Sequence, residues 1–63
     1  MAFKVDDFVR VVDRASPYYN RLGFVTFCDY SRNGVLRGYE VSIDGRKVGS
    51  FFDGHSLEKV GGV

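Results

Sequence analysis

The sequence predicts an all-β domain in which five short strands bend into one small barrel, with a tight turn before the last strand. Three observations carry this expectation. Gly23, Gly34, Gly38, Gly45, Gly49 and Gly54 recur too closely to leave room for a helix of three turns. Apolar residues alternate with polar ones at the two-residue period of a half-buried strand, as in Val9-Arg10-Val11 and Tyr39-Glu40-Val41-Ser42-Ile43. Asn33-Gly34 and Asp44-Gly45 are hairpin signals, because both central residues of a type I′ turn need positive φ.

Taken in order, Phe8 to Val12 is the first strand, with Val9 and Val11 facing the core and Arg10 facing out. Asp6 and Asp7 are expected to keep its start in solvent. Asp13 to Arg21, which contains the single proline, is a long loop with aromatics at its tip. The second strand runs from Gly23 to about Tyr30, with Val25 and Phe27 inward and Phe24, Thr26 and Cys28 on the other face. Ser31-Arg32-Asn33-Gly34 turns the chain into a third strand, Arg37 to Ile43, whose Tyr39, Val41 and Ile43 share a face opposite Glu40 and Ser42. Beyond Asp44-Gly45 a fourth strand, Arg46 to Phe52, returns through Val48. Phe51 and Phe52 are adjacent and therefore face opposite ways, so only one fills the core. Asp53-Gly54-His55-Ser56 is expected to make a single 3₁₀-like turn into a last strand, Leu57 to Val60, with Gly61-Gly62-Val63 fraying. Five strands in 63 residues are too few for an ordinary two-sheet sandwich, and closing the sheet removes edges that would pair with neighbours.

A chain this short is one domain and buries only about 60% of its unfolded surface. Cys28 has no second cysteine to pair with, and one Cys with one His is too few ligands for a tetrahedral zinc site. No cofactor is expected. Nine basic and eight acidic side chains leave a net charge of +1, which excludes a polybasic tail. The cations are mostly arginine, whose fork suits phosphate and carboxylate. The longest apolar runs are a few residues, far below the roughly 20 that span a bilayer, and the N-terminal stretch lacks the hydrophobic segment of a signal peptide. The expectation is a cytoplasmic protein that does not insert into membranes, and an unpaired cysteine agrees with a reducing compartment.

Two surfaces are candidates for binding. The first is the loop set Tyr18, Tyr19, Asn20 and Arg21 with Arg14 beside it, because exposed aromatics stack on bases while arginine neutralises phosphate. The second is a basic set, Arg10, Arg32, Arg37, Arg46 and Lys47, drawn from outward strand positions and hairpin tips and expected to merge into one patch. The bland alternatives are a tyrosine that caps the barrel mouth and ordinary solvated charge. Phe24, Phe51 or Phe52, if outward, would offer an apolar protein contact. Cys28 and His55 alone have reactivity near neutral pH, but a nucleophile pair needs a third orienting group and a pocket. The residues therefore point to a binding module and not an enzyme.

The segments Val5-Asp6-Asp7-Phe8-Val9-Arg10-Val11-Val12 and Ser16-Pro17-Tyr18-Tyr19-Asn20-Arg21-Leu22-Gly23-Phe24-Val25, with the ending Phe51 to Val60, resemble KOW-type SH3-like domains. Gly23-Phe24-Val25 matches that family's step into its second strand. The resemblance implies a small five-stranded SH3-like barrel that contacts RNA, DNA or a nucleic-acid-handling protein complex. Val9-Arg10, Ser16, Tyr18-Tyr19-Asn20, Gly23, Val25 and Asp29 are also similar in spacing to the small SH3-like peripheral subunit of photosystem I. That likeness implies a non-catalytic protein-docking subunit, ferredoxin docking being one version, and more broadly a small docking or inhibitory subunit of a larger complex. A basic face bearing the loop tyrosines would favour nucleic acid, and an apolar face rimmed by arginine would favour protein.

Overall fold

Alternation and turn chemistry give five antiparallel strands in a computed structural model that describes residues 2–48 and 51–61. They are β1 (Phe8–Val11), β2 (Leu22–Tyr30), β3 (Leu36–Ile43), β4 (Arg46–Lys47) and β5 (Leu57–Gly61), with a 3₁₀ turn over Gly54–Ser56 leading into β5. All five form one sheet in the order β4-β3-β2-β1-β5. The fold is all-β as expected, and no α-helix occurs among the described residues. The sheet curls but is not closed by hydrogen bonding into a barrel: β4 and β5 remain its edges. β4 contributes only two residues to the ladder, and the chain meets β3 again at Phe52, opposite Tyr39. The radius of gyration, 10.8 Å, is that of a compact chain of this length, about 10.6 Å. Among the described residues no helix is long and apolar enough to cross a membrane.

The concave face holds the core: Phe3, Val9, Val11, Val25, Tyr39, Val41, Ile43, Val48, Phe52 and Leu57. Tyr39 lies at its centre, fully buried. Its ring meets Phe3 edge-on at 5.1 Å, and its hydroxyl accepts the Phe3 backbone N–H at 3.0 Å. The N-terminal segment thus plugs one end of the curled sheet, a role that the strand pattern does not reveal for Phe3. Phe52 is buried and Phe51 exposed, as adjacency requires.

Asp7 corrects an expectation. It is 1% exposed, its Oδ2 accepts the Lys4 N–H at 3.0 Å, and a tight turn through Asp6, at φ 77°, folds it inward. Asp7 Oδ1 has no hydrogen-bond partner but lies 3.6 Å from the Lys59 ammonium. Lys59 sits opposite Val9, an inward register position on an edge strand, and its charge compensates the buried carboxylate. Asp6 alone remains in solvent.

β2 departs from strict alternation at Thr26. Val25 pairs with Val41 but Phe27 pairs with Glu40, so Thr26 is an extra residue in the ladder and resets which face each later side chain takes. Phe27 therefore points outward, not into the core, and Cys28 turns inward against it, the reverse of the alternating expectation. The Thr26 hydroxyl pins the bulge by bonding Glu40 Oε1 at 2.8 Å and the Glu40 carbonyl at 3.2 Å. Gly23 has no room for a Cβ: one built there would lie 2.3 Å from the Ser42 carbonyl oxygen.

The two hairpins differ. Asp44 and Gly45, at φ 54° and 77°, make the expected type I′ turn. In the other, Asn33 keeps negative φ and only Gly34 is left-handed, at φ 78°. The Gly34 N–H donates to Ser31 C=O at 3.0 Å and the Ser31 N–H to Val35 C=O at 2.8 Å, the three-residue loop in which glycine follows the turn. Strand four is shorter than expected, and positions 49 and 50 fall outside the described residues. Gly61 does not fray but pairs with Phe8; the expectation for Gly62 and Val63 lies outside the described residues.

Gly23→Ala should destabilise the fold by about 2 kcal/mol or prevent folding, because a backbone oxygen must move. Gly61→Ala, whose Cβ would come no closer than 3.9 Å to its neighbours, should stay within about 0.5 kcal/mol. Urea titrations of the two variants check this contrast. Tyr39→Phe strands the Phe3 N–H and should cost about 1–3 kcal/mol, read as a melting temperature lower by at least about 4 °C.

Candidate functional site

The loop between β1 and β2 is built from overlapping turns. Asp13 Oδ1 accepts the Ala15 N–H at 3.0 Å, Ser16 Oγ accepts the Tyr18 N–H at 3.1 Å, and Tyr18 C=O accepts the Arg21 N–H at 2.9 Å. Asn20 then takes the left-handed conformation, φ 67°, which asparagine tolerates better than most residues. Its N–H donates to Val11 C=O at 2.7 Å, tying the loop back to β1.

These turns present the two tyrosines differently. Tyr18 is half-buried, its ring 6.4 Å from that of Phe52, so it caps the core while leaving an edge in solvent. Tyr19 is 44% exposed. The bland expectation of one capping tyrosine holds for Tyr18, whereas Tyr19 remains free to stack.

Across from the loop stands the β3–β4 hairpin. Arg21 and Asp44 form an ion pair that bridges the two, and between them opens a cleft of about 520 Å³ lined by Tyr18, Arg21, Ile43, Asp44, Arg46, Lys47 and Val48. Four of the ten candidate binding residues expected from the sequence meet here, and Arg14, Tyr19 and Asn20 belong to the loop that forms one wall. Arg14, Arg21, Arg46 and Lys47 against Asp13, Asp44 and the Glu40 beside Lys47 give this end four cations to three acids. Arg14 and Arg46 have no acidic partner among the described residues, while Lys47 lies 3.7 Å from Glu40.

The basic residues do not merge into one patch. Consecutive hairpins lie at opposite ends of their shared strand, and eight residues of β3 separate Arg32 from Arg46 by about 23 Å. Arg37 belongs to the far end, where it forks onto Asp29 at 3.0 and 3.1 Å. Arg10 lies on the convex face of β1, 3.4 Å from Glu58.

That convex face is the feature the alternation underestimates. Phe8 and Phe24 pair across β1 and β2 with ring centroids 4.8 Å apart, and Phe27 and Phe51 meet at 6.4 Å. Phe51 crosses over Gly38, where an added Cβ would come within 3.2 Å of Phe51 Cβ. Phe24, Phe27 and Phe51 are each about half exposed, at 51%, 49% and 53%. Phe24 and Phe51 therefore do share an outer face, and Phe52 does not.

Cys28 Sγ faces the Phe3 carbonyl at 3.7 Å. Burial, and then the Asp7 charge, push its thiol above the ordinary value, which disfavours the nucleophilic thiolate. His55 is exposed on the 3₁₀ turn. No family model, curated protein or solved structure matches the chain.

Alkylation of Cys28 by iodoacetamide should be slower than that of a free cysteine and reach half its maximal rate at a higher pH than a free cysteine does. Unfolding in urea should restore the ordinary profile. Because the folded thiol holds its proton more tightly, its contribution to stability is full below the unfolded pKa and is lost as pH rises through the folded one; thermal melts between pH 7 and 10 read this decline.

Proposed function

We propose that the chain is a non-catalytic binding module that takes single-stranded nucleic acid along the cleft between the β1–β2 loop and the β3–β4 hairpin. The observation that carries this reading is the meeting of Tyr18, Arg21, Arg46 and Lys47 in one cleft, with Tyr19 exposed on the adjoining loop. Arg46 and Arg14 engage phosphates, having no acid to give up. Tyr19 supplies a stacking ring, and Tyr18 and the Arg21–Asp44 pair fix the walls. The resemblance to KOW-type SH3-like domains supports the same reading. With Lys47, 3.7 Å from Glu40, counted beside Arg14 and Arg46, these cations imply only about three phosphate contacts and thus modest affinity.

A second reading, a protein-docking subunit, is favoured by the exposed aromatics of the convex face, where the cations are already paired with acids. That surface lacks the excess positive charge that drives nucleic-acid binding by counterion release.

Fluorescence anisotropy with a labelled single-stranded oligonucleotide separates the two. With about three phosphate contacts, affinity should fall about 100-fold between 20 and 200 mM salt, a slope near −2. Arg46→Ala should weaken binding and flatten that slope by about 0.7, and Tyr19→Ala should cost about 1–3 kcal/mol. Absence of binding at 20 mM salt overturns the nucleic-acid reading.

A further inference from the structure

We propose that the Arg21–Asp44 pair reads guanine in a single strand lying along the loop cleft. The inference rests on the nucleic-acid reading above and adds a base preference to it.

The cleft is lined by one carboxylate, Asp44, beside Arg21, Arg46 and Lys47, and that acid works against a surface meant for phosphate alone. It repels the backbone of the strand and occupies a cation. The turn does not require it, because at φ 54° asparagine or glycine serves the first position of a type I′ turn as well. Stability does not require it either: the Arg21 and Asp44 side chains are 51% and 66% exposed, and an exposed ion pair contributes little. What the pair does supply is an open edge of hydrogen-bonding groups, held in place in the wall of the cleft.

Arg21 Nη2 lies against Asp44 Oδ2, so that edge runs acceptor, acceptor, donor: Oδ1, Oδ2, then a guanidinium N–H. Cytosine shows its pairing partner the same order through O2, N3 and its amino group. Guanine is the complement. Its N2–H and N1–H donate to the two carboxylate oxygens, and its O6 accepts from Arg21, a readout open only to a base outside a duplex. Adenine and cytosine make only two bonds to this edge, one from their amino group to the carboxylate and one from the arginine to a ring nitrogen. Thymine and uracil, whose N3–H lies between two carbonyls, turn a carbonyl oxygen against the carboxylate. Stacking on the exposed Tyr19 ring is open to every base, so selection falls to the pair.

Fluorescence anisotropy on the full chain at 20 mM salt, with short labelled oligo-dT strands that differ only in the central base, tests the proposal. A central guanine should bind about tenfold more tightly than thymine and about threefold more tightly than adenine or cytosine. Hypoxanthine, which lacks the N2 amino group, should lose about threefold of the guanine affinity. 7-Deazaguanine should lose none, because N7 faces away from the pair. Asp44→Asn keeps a residue that the turn tolerates; it should abolish the preference and tighten the binding of oligo-dT, with an unchanged circular dichroism spectrum. Equal affinity for the four central bases overturns the proposal and leaves the nucleic-acid reading standing. So does a guanine preference that survives both Asp44→Asn and hypoxanthine. Binding of none of the strands overturns the two together.

Discussion

A single curled sheet has one face to bury, and this constraint orders the rest of the molecule. Ten apolar side chains fill the concave side, and the alternation of a strand then sends every second residue to the convex side whatever its chemistry. With 44% of the chain apolar, the concave face cannot take all of it. The surplus falls on the convex face as phenylalanine, and Tyr39, hydrogen-bonded to the Phe3 backbone, fastens the N-terminal plug that keeps the concave side dry.

The strands were legible because their code is local. Val9 and Val11, or Tyr39, Val41 and Ile43, need nothing beyond their own spacing to declare a buried face, and Asp44-Gly45 needs nothing beyond its positive φ. What escaped depends on partners distant in the chain. The bulge at Thr26 exists through Glu40 on the neighbouring strand, so alternation alone misplaces both Phe27 and Cys28. Asp7 reads as a solvated carboxylate until Lys59 is brought beside it. Phe3 stands outside any strand and has no period to betray it.

The candidate binding residues divide along the same line. Tyr18, Tyr19, Asn20 and Arg21 were found through the composition of one loop, and the fold keeps them together because that loop is a chain of tight turns. Their convergence with Arg46 and Lys47 follows from antiparallel order, which brings the β1–β2 loop and the β3–β4 hairpin to one end of the sheet. The same order carries Arg32 and Arg37 to the other end, and composition has no means of stating which arginines share an end. Nor does it state which are spent: Arg37 and Arg10 are held by Asp29 and Glu58, whereas Arg14 and Arg46 have no acidic partner among the described residues.

Where β2 changes parity decides which aromatics belong to the core and which form the outer face. Nuclear Overhauser contacts of the Phe27 ring test that point most directly. The account predicts cross-peaks from Phe27 to the Phe51 ring, and from the Cys28 β-protons to Phe3, with none from Phe27 to the methyls of Val9 or Val41. Cross-peaks between the Phe27 ring and those valine methyls would contradict it, placing Phe27 in the core and dissolving the aromatic face.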